Sequence, residues 1–149
     1  MHGATEYALD RRRKVIWRVD IHAVENDVGE TIRVLLVEDH ALFRQALSLL
    51  LYRGPNIEVI QAGTPAEARL LLGGVDVVAL DNNWPDGEGA ELIEEVRATN
   101  PGASVLVLSN ASDSAYPKSA LEATADAVLS KIESPFRIID EIKLLGRSS

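Results

Sequence analysis

From residue 31 onward the chain alternates between short apolar runs and stretches whose apolar positions recur every three or four residues. Ile32–Val37 (IRVLLV), Ile57–Ala62 (IEVIQA), Val75–Leu80 (VDVVAL), Ser104–Leu108 (SVLVL) and Ala127–Leu129 predict five strands. Ala41–Tyr52 predicts the first helix, with Leu42, Phe43, Ala46, Leu47 and Leu50 at helical spacing. Thr64-Pro65-Ala66-Glu67 reads as a capping box with Pro at the first helical position, so a second helix runs from there to about Leu72 and stops at Gly73-Gly74. Glu88–Thr99 is a third, entered through the turn cluster Trp84-Pro85-Asp86-Gly87 and ended by Asn100-Pro101-Gly102. Ser114–Ala123 is a weaker fourth, and Ser134-Pro135 caps a fifth that runs to Leu145.

Strands that alternate with helices predict an α/β domain: a doubly wound five-stranded parallel sheet with helices on both faces. The strands lack polar alternation, as expected when both faces are covered. The domain is expected over residues 31–146, after an N-terminal extension of residues 1–30 with a polar boundary near Asn26–Glu30. Within the extension Val15, Trp17, Val19 and Ile21 alternate with Lys14, Arg18 and Asp20, and only Ile16 breaks the polar face. That period predicts a half-buried strand added at a sheet edge, in this chain or in a second copy as a homodimer, in preference to a disordered start.

Composition narrows the function classes. Hydrophobic residues make up 46% of the 149, enough for a core, and the net charge of −8 repels phosphate backbones, so no direct nucleic-acid binding is expected. The basic run Arg11-Arg12-Arg13-Lys14 reads as a solvated segment. The absence of cysteine excludes disulfides, thiolate metal sites and a cysteine nucleophile. No apolar run approaches a membrane span and no secretory leader is visible, so a cytoplasmic protein without a membrane partner is expected.

In open α/β sheets, sites form at the carboxyl ends of the strands. Here those ends carry Glu38-Asp39, Asp81, Ser109 and Lys131. Singly, each has a plain reading: Asp39 as a helix N-cap, Asp81 as a turn residue, Ser109 as an ordinary strand end, Lys131 as a solvated side chain. Brought to one edge, three carboxylates want a cation, and an all-oxygen donor set selects a hard ion such as Mg²⁺. A carboxylate beside such an ion can attack phosphorus, while an ammonium and a hydroxyl stabilise the phosphoryl oxygens. His40 reads as the surface start of the first helix. Trp84 reads equally well as an apolar cover for its loop and as an exposed contact for a partner.

Four segments carry a family resemblance: LLVEDH at Leu35–His40, VDVVALDNNWPDGEG at Val75–Gly89, LVLSNAS at Leu106–Ser112 and AVLSK at Ala127–Lys131. In order and at strand ends, they resemble the motifs of the receiver domain of two-component response regulators, over about Thr31 to Gly146. The resemblance implies a flavodoxin-like fold and Asp81 as phosphoacceptor. It implies Mg²⁺ held by Asp39, Asp81 and the Asn83 backbone carbonyl, with Glu38 assisting through water. Ser109 and Lys131 would contact the phosphoryl group. It further implies a histidine kinase or phosphotransfer protein as donor and a downstream protein target or output domain as receiver of the signal. Catalysis would be limited to the chain's own phosphorylation and dephosphorylation, so no enzyme in the ordinary sense is expected.

Three positions depart from the family pattern. Asn110 follows the switch hydroxyl, where a small residue is usual. Val128 stands where an aromatic switch residue is usual, and Ile132 follows Lys131 in place of proline. These departures leave a pseudo-receiver, a binding module that is not phosphorylated, as the alternative. A metal-dependent phosphatase with an Asp nucleophile is the other rival, but it typically places a second Asp two residues later, where this chain has Asn83.

Overall fold

The computed structural model describes residues 5–9, 15–19, 31–85, 87–110 and 120–148. The basic run at 11–14, the 26–30 boundary and most of the predicted Ser114–Ala123 helix lie outside these residues.

Strands β1 (Thr5–Leu9) and β2 (Val15–Val19) pair antiparallel, Thr5 opposite Val19 and Leu9 opposite Val15, as a two-stranded sheet of their own. The alternating segment therefore does not extend an edge of the larger sheet, as the sequence led us to expect. A partner only five residues upstream is available at small loop-closure cost, and it takes the pairing.

The larger sheet consists of β3 (Ile32–Val37), β4 (Ile57–Ala62), β5 (Val77–Asp81), β6 (Ser104–Ser109) and β7 (Ala127–Ser130), all parallel, in the order β4-β3-β5-β6-β7. Helices α1 (Ala41–Tyr52) and α5 (Pro135–Ser148) cover one face; α2 (Pro65–Arg69), α3 (Glu88–Thr99) and α4 (Ala120–Thr124) cover the other. Side chains alternate between the two layers along each central strand. Val34, Leu36, Val77, Ala79, Leu106 and Leu108 pack with Leu47 and Leu51 of α1 and Ile138 and Ile142 of α5. Leu35, Val37, Val78, Leu80, Val105 and Val107 pack with Ala68, Leu92, Val96 and Leu121. Two covered faces explain strands that are apolar at nearly every position.

Local chemistry shifts several predicted ends. Asp76 does not join β5: its carboxylate accepts the Arg33 backbone N–H at 2.8 Å, tying the sheet below the strand. Helix α2 is shorter than predicted because Leu70 and Leu71 already bond three residues back, to Glu67 and Ala68, before Gly74 turns the chain with φ of 71°. In α1 the buried positions are Leu47, Ser48 and Leu51, while Leu42 and Ala46 of the predicted stripe face solvent.

The predicted cap of α2 forms in a modified way. Thr64 Oγ1 accepts from Glu67 N–H at 3.1 Å, and Glu67 reaches back to the Gly63 N–H, one residue earlier than in a standard box. Thr64→Ala is expected to cost about 1 kcal/mol in urea unfolding.

Candidate functional site

The strand order reverses between β3 and β5: after β3 the chain moves outward to β4, then crosses back to β5 on the other side. The crevice at such a switch point, beyond the strands' carboxyl ends, is where α/β sheets hold ligands. The two strands flanking it end in Val37, followed by Glu38-Asp39, and in Asp81. A cleft of about 370 Å³ opens there, lined by Glu38, Asp39, His40, Phe43, Asp81, Asn83, Asn110 and Lys131.

Glu38, Asp39 and Asp81 each offer a carboxylate oxygen within 4.8 Å of the others. Glu38 and Asp81 are buried, at 0% and 1% exposure, whereas Asp39 faces solvent. His40 is the N-cap of α1, its Nδ1 accepting from the Phe43 N–H at 3.4 Å, so Asp39 is not spent as a cap and stays open to the cleft. Glu38 Oε2 accepts the His40 N–H at 3.0 Å, and Asp81 Oδ1 accepts the Asn83 N–H at 3.2 Å.

Lys131 reaches across from the end of β7. Its Nζ lies 2.7 Å from Glu38 Oε1 and 3.2 Å from Asp81 Oδ1, and its backbone N–H donates to the Ser109 carbonyl at 2.8 Å. Ile132 in place of proline has therefore not turned the side chain away. The cluster that pairs with the ammonium could also hold a divalent cation, and the donors fit a hard ion: all are oxygens, and Asp39 makes no ion pair among the described residues. Both Glu38 oxygens are already engaged, one by Lys131 and one by His40.

Not every expected residue lines the cleft. Ser109 is buried at the end of β6 and its neighbour Asn110, exposed, forms the wall instead. Val128 is half-buried against the α2–α3–α4 layer. Trp84 also packs into that layer: a Cβ on Gly89 would meet Leu121 at 3.0 Å and Trp84 at 3.4 Å. Of the two readings of Trp84, the structure takes the apolar cover.

A profile of the response regulator receiver domain matches residues 34–143. The chain belongs to that family. The transcriptional regulatory protein DegU of Brevibacillus brevis is 29% identical over 119 residues, covering 78% of this chain and 50% of that protein. A protein-glutamate methylesterase/protein-glutamine glutaminase of Anaeromyxobacter dehalogenans is 35% identical over 130 residues, 78% of this chain and 36% of that one. The chain spans half or less of the length of these two relatives. Among solved structures, a LuxR-family two-component response regulator from Aurantimonas sp. SI85-9A1 superposes with a TM-score of 0.67 at 27% identity, covering 79% of this chain and 86% of that one. The receiver domain of the Francisella response regulator 1452 shares the fold, with a TM-score of 0.66 at 23% identity and coverage of 78% and 98%. No helix among the described residues of this receiver domain is long and apolar enough to cross a membrane.

Three contributors to the receiver site escaped the sequence reading. Arg44 donates through Nη1 to the Glu38 carbonyl at 2.6 Å and through Nε to Gln61 at 3.2 Å, pinning the strand end that carries the acidic pair. Asn82, next to Asp81, donates to Glu122 of α4 at 2.8 Å. The Phe43 ring lies 5.1 Å from Lys131 Nζ. Arg44 follows the acidic pair on the first turn of a helix, and a long cation there is the one signal that pointed back to the strand end.

Burial raises the Glu38 carboxyl above its ordinary value of 4.5; the bonds from Lys131 and the His40 N–H offset part of this, and the neighbouring Asp81 adds to it. Burial opposes the charge on Lys131, but the pairing with Glu38 and Asp81 outweighs it and holds the ammonium above 10.5. Both shifts are upward, so both act on stability in the same direction, each in its own pH range. A raised Glu38 binds its proton more tightly in the folded state, so its contribution grows as pH falls through the folded value toward 4.5. The Lys131 contribution is fully present below 10.5 and is lost as pH rises through its raised folded value. Urea unfolding in metal-free buffer is expected to show the acid-side gain in the wild type and to lose it in Glu38→Gln.

Proposed function

We propose that this receiver domain accepts a phosphoryl group on Asp81 in a Mg²⁺-dependent step, from a histidine kinase or phosphotransfer protein, and signals through protein–protein contacts. The observation that carries the reading is the Lys131 ammonium set against both Glu38 and Asp81 at the sheet's switch point, with the Asp39 carboxylate open beside them.

Mg²⁺ held by Asp39, Asp81 and the Asn83 carbonyl would neutralise phosphoryl oxygens and draw charge off the attacked phosphorus. The remaining work falls to the chain. An Asp81 oxygen attacks phosphorus, the P–N bond to the donor's phosphohistidine breaks, and the imidazole leaves with that electron pair. Lys131 pairs with the charge on the arriving oxygens, and the Ser109 hydroxyl turns inward to donate to one of them. Water later cleaves the acyl phosphate and regenerates the Asp81 carboxylate. Asn110 on the cleft wall would govern how large a donor enters. With Val128 where an aromatic ring is usual, links among the described residues from the acceptor loop to α4 include the Asn82–Glu122 bond and the packing of Trp84 against the layer that holds Leu121.

Treating the protein with acetyl phosphate and Mg²⁺ and mapping the product by mass spectrometry tests this reading. One phosphoryl group on Asp81, absent with a chelator, supports it. No adduct, or an adduct on another residue, removes it.

A further inference from the structure

Lys131 has two kinds of neighbour: the buried carboxylates and the face of the Phe43 ring, 5.1 Å from its nitrogen. A divalent cation entering among the three carboxylates competes for the oxygens that hold the ammonium and repels it. It does not compete for the ring, because a hard ion takes oxygen donors. The ring's quadrupole attracts the ammonium, and the more so because the Lys131 side chain is only 14% exposed. Phe43 sits on the first turn of α1 and lines the cleft, and its backbone is fixed by the bond from its N–H to the cap His40.

We propose that Phe43 is a positioning residue for Lys131: its ring face holds the ammonium at the cleft when a divalent cation draws the carboxylates away. This rests on the phosphoacceptor reading only for its consequence, since the contact itself exists without metal. Lacking the ring, Lys131 has only the carboxylates to pair with among the described residues, so it competes with the cation for Glu38 and Asp81.

The test uses the full chain with lysine carbons labelled, in wild type, in Phe43→Leu, and in proteins carrying mono-, di- and trifluorinated phenylalanine at position 43. Fluorination keeps the ring's shape while draining its quadrupole, so a purely structural role would not follow it. The Lys131 ε-methylene protons are expected upfield through the ring current, both before and after saturation with Mg²⁺, and to return to ordinary positions in Phe43→Leu. The Mg²⁺ dissociation constant is expected to rise stepwise with fluorination and about fivefold in Phe43→Leu. An unshifted ε-methylene in the wild type, a shift unchanged in Phe43→Leu, a shift lost on adding Mg²⁺, or a dissociation constant flat across the fluorinated series overturns the proposal. A wild type that binds no Mg²⁺ and takes no phosphoryl group counts against the phosphoacceptor reading, whereas the metal-free shift decides the Phe43 contact separately.

Discussion

Asp81→Asn is expected to reduce labelling by acetyl phosphate about a thousandfold or more. The amide that replaces the carboxylate is a far weaker nucleophile, and the product would lack the acyl phosphate bond altogether. The same change removes one of the three acidic groups that share 4.8 Å, so cation binding falls as well. Fold is not at stake, because Asn fills nearly the same volume and its carbonyl still accepts the Asn83 N–H. Rate of incorporation, followed by intact-protein mass spectrometry, is the readout, and circular dichroism shows that both proteins are folded. Labelling of the variant at the wild-type rate would mean that the reacting group lies elsewhere.

Lys131→Met is expected to act on both stability and chemistry. The ammonium is the shared counter-ion of two buried carboxylates, and methionine keeps the aliphatic stem without the charge. Removing one partner of a buried ion pair typically costs ~3–5 kcal/mol; the open cleft and the ready protonation of Glu38 bring the expected loss here to about 2–3 kcal/mol. Millimolar Mg²⁺ should restore much of it, since a cation that binds only the folded state stabilises by mass action. Labelling should not recover in parallel: without the ammonium at the phosphoryl oxygens, the rate is expected to stay roughly a hundredfold down. Urea unfolding with and without Mg²⁺, beside a labelling time course, separates the two effects. A variant as stable as the wild type in metal-free buffer would contradict the ion-pair geometry.

What the sequence disclosed and what it hid divide along a physical line. The five strands and the helices Ala41–Tyr52 and Glu88–Thr99 were legible because burial on both sheet faces, or on one helical stripe, leaves a period in the chain. The acidic and basic groups at the strand ends were legible because a parallel sheet delivers all its carboxyl ends to one edge. Thr5–Leu9 was missed because five residues whose apolar members, Tyr7, Ala8 and Leu9, are adjacent rather than alternating carry almost no signal without their partner strand. Phe43 looked like a core residue, since an aromatic side chain on an apolar helix stripe is that far more often than not. That its ring also meets Lys131 depends on how α1 sits beside β7, which no local pattern encodes. The Asn82–Glu122 bond spans forty residues and joins two polar side chains that read individually as loop and helix surface.

The central claim is that acidic groups from two separate strand ends form one site for a hard cation. Its most direct measurement is a calorimetric Mg²⁺ titration of the wild type and of Asp39→Asn, the exposed carboxylate that makes no ion pair among the described residues. A single saturable site is expected in the wild type, and an affinity about tenfold weaker or worse in the variant. A wild type with no saturable binding, or a variant that binds as tightly, would contradict it.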